Sequence, residues 1–121
     1  MVTYLIETRI EKIDDRLQFT CTGKRSYAAY VELIDLISRE LAKNSEIKKV
    51  LINLNELTGD LSIFERHQVG KYLAGKVPNI SVAVVSPKEY LKQVIENAAV
   101  NRGAKMFSTF SLEDALAWLQ Q

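Results

Sequence analysis

The stretch "KVLINLNELTGDLSIFERHQVGKYLAGKVPNISVAVVS" (Lys49–Ser86) decides how this chain is read. "KVLINL" (Lys49–Leu54) is a short apolar run of strand type. Ile63, Phe64, Gly70, Leu73 and Val77 then recur at helical spacing and predict a helix from about Ser62 to Lys76, stopped by Pro78. "ISVAVVS" (Ile80–Ser86) is the most continuous β-branched run of the chain and suits a strand covered on both faces. Strand, helix, strand at this spacing is a crossover unit. It implies parallel pairing and a right-handed connection.

The same pattern extends in both directions. Upstream, "VTYLIETRI" (Val2–Ile10) and "RLQFTCT" (Arg16–Thr22) are rich in β-branched and aromatic residues. The polar link "EKIDD" (Glu11–Asp15) reads as their hairpin connection, with Ile13 unexplained there or extending one of the strands. In "SYAAYVELIDLISRELAK" (Ser26–Lys43), Tyr30, Leu33, Ile34, Ile37 and Leu41 follow helical spacing, with Ser26 placed as the cap. Downstream, Ser86-Pro87-Lys88-Glu89 combines an N-cap serine, a first-turn proline and a capping-box glutamate, so a helix is predicted from there to about Asn101. "KMFSTF" (Lys105–Phe110) is the last strand, and Ser111 caps a closing helix that buries Ala115, Leu116, Trp118 and Leu119. The expected architecture is one α/β domain over 1–121. It has a mixed sheet of about five strands, the first antiparallel and the rest mainly parallel, and about four helices.

Composition narrows the function classes. Apolar residues make up 47% and charged residues 26%, and 16 basic side chains nearly cancel 15 acidic ones. No global field draws such a chain to nucleic acid or to an anionic membrane. The densest basic pairs, Lys24–Arg25 and Lys48–Lys49, do not make a patch. Cys21 is the sole cysteine, which favours a reducing compartment. "MVTYLIETRIEK" reads as a strand and not as a leader, and no apolar run reaches the roughly 20 residues of a membrane helix. A cytoplasmic protein is expected.

The chemistry-bearing residues are sparse. His67 is the one histidine, and with one distant cysteine it gives no metal-ligand spacing. Neither a P-loop nor a dinucleotide fingerprint is present, so no cofactor, no metal and no catalytic residue are expected. The turn Asn55–Ser62 falls where a parallel strand's C-terminal end meets the next helix, the edge at which open α/β sheets bind ligands. Asp60 or Ser62 is placed to cap that helix. The functional alternative is an anion held on its free amides, with Ser86 and Ser111 at the neighbouring helix starts. Glu65 and Arg66 are expected to be solvated by default. Gly70, mid-helix, is expected to let the backbone approach another element closely. Arg102 suits the C-terminal end of its helix or an anionic partner. Tyr27 and Tyr30 share a helix face, a feature of a groove if Tyr72 joins them.

A resemblance follows from "FERHQVGKYLA" (Phe64–Ala74) after the strand-turn, the V-A-V-V strand (Val82–Val85) and "AAVNRGAKMFSTFSLEDALAWL" (Ala98–Leu119). Over Lys49–Leu119 the chain resembles the SpoIIAA-like family within the STAS (sulfate transporter and anti-sigma antagonist) fold. Upstream it matches by element order. The resemblance implies a compact α/β domain with helices largely on one side of the sheet. It implies a non-enzymatic module that binds a protein partner. Better-known STAS relatives are switched by phosphorylation of a serine in an aspartate-serine-(serine/threonine)-glycine turn. Here "LTGDLSIFE" (Leu57–Glu65) lacks that turn, and Thr58 or Ser62 occupies a related place. Some related domains also resemble the lipid-carrying SEC14 fold, although this chain is shorter than those proteins.

These readings converge on a binding or regulatory module that docks a protein partner, or its own copy, through the strand-helix edge. The expected contacts are Thr58, Asp60, Ser62, Phe64, Arg66 and Arg102, with Ser62 and Thr58 as phosphorylation candidates. The alternative is a domain binding a small anionic or lipid-like metabolite at that edge.

Overall fold

The computed structural model describes residues 5–88 and 94–121. The predicted start of the first strand (Val2–Tyr4), the capping-box Glu89 and Tyr90 lie outside the described residues. The elements are β1 (Ile6–Ile13), β2 (Arg16–Lys24), α1 (Tyr27–Lys43), β3 (Lys49–Thr58), α2 (Ile63–Lys76), β4 (Ser81–Val85), α3 (Val94–Val100), β5 (Lys105–Thr109) and α4 (Leu112–Leu119). The strands form one five-stranded sheet in the order β1-β2-β3-β4-β5. β1 pairs antiparallel with β2, and every other neighbouring pair is parallel. This is the mixed α/β sheet that the alternating pattern predicts.

Two element boundaries differ from the sequence reading. The β1–β2 connection is a two-residue turn at Asp14-Asp15, with Asp14 at φ 55°, so Glu11–Ile13 continue the strand and Ile13 pairs with Arg16. β3 runs on through Asn55–Thr58, which the sequence reading assigned to the turn. A β-bulge explains that second miss. The β2–β3 register shifts between Thr20 and Thr22, placing one extra residue in β3. Leu54 and Leu57 are therefore both buried although three positions apart, and the period-two signal is lost there. The Asn53 side chain accepts the Asn55 amide at 3.0 Å, supporting the bulge locally.

The helices divide unequally between the faces. α1, α2 and α3 cover one face, with Leu33, Ile34, Ile37, Val69, Leu73 and Ala99 packed on Leu17, Phe19, Val50, Ile52 and Val82. α4 covers the other face alone, with Ala115 and Leu119 against Leu51, Ala83 and Val85. β4 sits between both layers, which is why its run is continuously apolar. Trp118 stacks on Phe107 at 5.6 Å between ring centroids, closing the α4 side.

Gly70 makes the expected close approach, and its neighbour is α3. A Cβ built at Gly70 would stand 2.6 Å from both Ala98 Cβ and the Ile95 carbonyl oxygen. Only a residue without a side chain lets the two helices meet at that distance.

Candidate functional site

The parallel strands end along one edge, where β3 enters the α2 turn, β4 reaches Ser86 and β5 reaches Ser111. Three structures are built there: a stapled strand end, a capped turn and a cavity behind it.

Arg25 is the staple. It lies between β2 and α1 and is 5% exposed. Its amide donates to the Thr58 carbonyl at 2.7 Å. Its guanidinium donates to the carbonyls of Leu57 at 2.8 Å, Gly59 at 3.1 Å and Leu54 at 3.4 Å, and to Ser86 Oγ at 3.2 Å. β3 runs on past its last β4 partner, Asn53 opposite Val85, so carbonyls beyond that point have no β4 strand to bond, and a buried carbonyl needs a partner. The five-donor fork of arginine supplies several at once. Ser86 is thus drawn into this network.

The turn that follows is short. Gly59 adopts φ +77°, a left-handed conformation that turns the chain out of β3. Asp60 Oδ1 accepts from the Leu61 amide at 2.8 Å and pairs with Arg66 Nη2. Ser62 is the cap of α2. Its hydroxyl accepts from the Glu65 amide at 3.1 Å and the Glu65 carboxylate accepts from the Ser62 amide at 3.0 Å, a complete capping box. Ser111 caps α4 in the same way, accepting from the Asp114 amide. The hydroxyls of Ser62 and Ser111 therefore serve their own helices.

Arg66 corrects the expectation of a solvated arginine. Residues Arg66, Val69, Gly70 and Leu73 are the buried stripe of α2, at helical spacing i, i+3, i+4 and i+7. Ile63 and Phe64 fall outside this stripe and stand 67% and 70% exposed. The sequence reading placed Ile63 and Phe64 in the apolar pattern and omitted Arg66. The spacing back from Val69, Gly70 and Leu73 was the signal that could have found it.

Behind the turn, a cavity leaves about 80 Å³ of room for the centre of a water molecule between the sheet and α1–α3. Its apolar wall includes Leu33, Ile34, Ile52, Val69, Leu73 and Met106. Its polar lining is Arg25, Tyr30, Asp60, Arg66, Ser86, Glu96 and Ser108. Five of the polar groups are linked: Arg25 reaches Ser86, Asp60 holds Arg66, and both guanidiniums act on the Tyr30 hydroxyl. Burial raises the Tyr30 pKa, and Arg25 and Arg66 only partly oppose it, so Tyr30 keeps its proton. Glu96 accepts from the Ser108 amide and ties α3 to β5. Sequence reasoning named Tyr30 only as part of a groove with Tyr27 and Tyr72, and missed Arg25, Glu96 and Ser108, because the β2–α1 link, α1, α3 and β5 bring the four together.

The remaining candidates separate. Thr58 is exposed and its hydroxyl donates to the Gly23 carbonyl at 3.3 Å. Arg102 is exposed between the end of α3 and the start of β5, at the edge where the strands begin, opposite the Thr58–Ser62 turn. Cys21 is fully buried with its pKa raised to about 11 by burial, whereas His67 is exposed, so the two do not form a pair. Tyr72 donates to the Asp35 carboxylate, which raises its pKa. Among the described residues no group of three or more His, Cys, Asp and Glu is placed to hold a metal ion, and no helix is long and apolar enough to cross a membrane.

No known protein family profile matches the sequence. No curated protein matches it either. Solved structures do. An anti-sigma factor antagonist from Mycobacterium paratuberculosis superposes with a TM-score of 0.65 at 18% identity, covering 96% of this chain and 95% of that one. An uncharacterized protein with a SpoIIAA-like fold from Shewanella loihica superposes with a TM-score of 0.57 at 27% identity, covering 98% of each chain. With its antiparallel first strand, its parallel remainder and these likenesses over nearly the whole length, the chain has the SpoIIAA-like α/β fold.

Proposed function

We propose that the chain is a non-enzymatic docking module whose β3–α2 edge binds a protein partner or a second copy of itself. One observation carries the reading: Ile63 and Phe64, adjacent and 67% and 70% exposed, project from a helix start that a complete capping box holds rigid. Large apolar side chains presented on a fixed edge are what an interface core uses. The name of the Mycobacterium neighbour, an anti-sigma factor antagonist, supports a regulatory role. Ser62 and Thr58 stand exposed at the same edge. A phosphate on Ser62 would add about −1.5 to −2 charge beside Phe64 and reset the surface. The expected compartment is the cytoplasm.

The test is a micromolar concentration series in sedimentation velocity, paired with a photo-crosslinking residue at position 64 in native cells. A dimer, or one reproducible crosslinked protein identified by mass spectrometry, is expected, and Ile63→Asp should abolish it. A monomer throughout, with no more crosslinking at 64 than at exposed His67, rejects the docking edge.

A second reading has its own observation. The cavity joins apolar walls to buried guanidiniums, the composition of a small-ligand site. A thermal-shift screen of phosphates, nucleotides and fatty acids tests it. Ligand at 100 times its dissociation constant should add about 2.7 kcal/mol. No shift with any compound removes this reading and leaves the docking edge untouched.

A further inference from the structure

We propose that the cavity takes an amphiphilic monocarboxylate whose head group replaces Asp60 on Arg66, so that Asp60 is a built-in competitor of the ligand. This rests on the small-ligand reading of the same cavity.

The argument begins with the unequal surroundings of the ion pair. The Arg66 side chain is 6% exposed and that of Asp60 is 41% exposed. Arg66 is buried with the Asp60 carboxylate as its ion-pair partner, so a ligand that displaces Asp60 keeps the charge balanced only as an anion. Asp60 gives up the Arg66 pair and strains the Leu61 amide bond at the same oxygen, and its exposure to water offsets part of that loss. It sits on the turn that follows Gly59 and already faces water along part of its surface. The exchange conserves buried charge, because one carboxylate goes out as another comes in. A phosphate dianion would add surplus charge and make no use of the apolar wall.

The remaining features fit the tail and the second head-group oxygen. Arg66, Val69 and Leu73 line the cavity along one stripe of α2, a run of roughly 10 Å at 1.5 Å per residue. That length suits a medium alkyl chain. Tyr30 lines the same cavity, and its hydroxyl, kept protonated by burial, is a donor available to a carboxylate oxygen. The room for water centres, about 80 Å³, exceeds several-fold the roughly 10–15 Å³ that one water needs.

The experiment is calorimetric titration of the full chain with decanoate, decanol and decyltrimethylammonium, each below its micelle concentration. Labelled decanoate methylenes should show nuclear Overhauser contacts to Leu73 and Ile34 methyls. Decanoate is expected to bind about tenfold or more tighter than decanol, and Asp60→Asn is expected to tighten decanoate by about tenfold, by removing the competitor. Arg66→Met should lose the preference for the anion. Should that variant unfold, the Asp60→Asn result stands alone as the decision. Equal binding of decanol and decanoate, or unchanged or weaker decanoate binding by Asp60→Asn, overturns the exchange while leaving a cavity that binds apolar molecules. No binding of any of the three amphiphiles overturns both the exchange and the cavity reading.

Discussion

Asp60 and Arg66 form an ion pair across six positions in which one partner is buried and the other half exposed. The two ends of this pair are not equivalent. Removing Arg66 leaves a carboxylate that water can solvate. Removing Asp60 leaves a buried cation. We expect Asp60→Ala to destabilise the fold by about 1–3 kcal/mol in urea denaturation, less than a fully buried pair because Asp60 is screened by solvent. A loss below about 0.5 kcal/mol, within the range of neutral surface changes, would mean that Arg66 draws its compensation elsewhere.

Arg25 holds the bulged end of β3 through three carbonyls and Ser86. Truncation leaves buried carbonyls without donors. Arg25→Ala should cost about 3 kcal/mol or more, since charge-assisted bonds contribute about 1.5–3 kcal/mol each and orphaned acceptors add to the loss. Arg25→Lys should recover only part, because an ammonium cannot span the fork's targets. Full recovery by lysine, read from urea midpoints, would show that charge and not geometry matters there.

At Gly70 an added methyl meets Ala98 and the Ile95 carbonyl oxygen at 2.6 Å. Alanine ordinarily improves a helix interior. Here Gly70→Ala should instead destabilise by about 1–3 kcal/mol, the usual cost of overpacking. A stabilised variant in thermal unfolding would mean that α3 shifts away without penalty.

The Ser62 capping box gives a prediction of modest size. Ser62→Ala should cost about 1 kcal/mol and Ser62→Asp close to nothing, because aspartate caps equally well. Any change in docking by Ser62→Asp then reports charge at the edge rather than loss of the helix start. If Ser62→Asp leaves partner binding as in the wild type, phosphorylation there has no role in docking.

The alkaline limb of stability should report Cys21. Burial raises its thiol from the ordinary 9.0 to about 11. The folded state keeps a proton that the unfolded chain loses first, so stability is fully present below pH 9 and falls as pH rises from 9 through about 11. Cys21→Ala should flatten that fall in urea midpoints. The burial-raised Tyr30 contributes in the same direction. The native thiol should also resist disulfide reagents until the protein unfolds, and prompt labelling at neutral pH would contradict its burial.

Element order, strand direction and helix caps were legible in the residues themselves. Val82–Val85 and Ser111 each carry a signal within a few positions, whereas the α2 cap was narrowed only to Asp60 or Ser62 and its partner Glu65 was read as solvated. The bulge in β3 was not legible, because an inserted residue erases the alternation that marks a strand. Nor was the fate of the arginines. Arg25 reads as half of a basic surface pair with Lys24, yet its hydrogen-bond partners lie 29 to 61 positions away.

The amino-acid order alone determined a mixed α/β sheet and an edge where three strands end near helix starts. The tertiary structure alone decided that Arg66 turns inward while Phe64 turns outward, that a cavity opens behind the capped turn, and that Arg102 stands at the opposite edge. Periodicity and capping act between near neighbours in the chain. The burial of a charge depends on distant carbonyls and carboxylates that only the packed helices and sheet bring within reach.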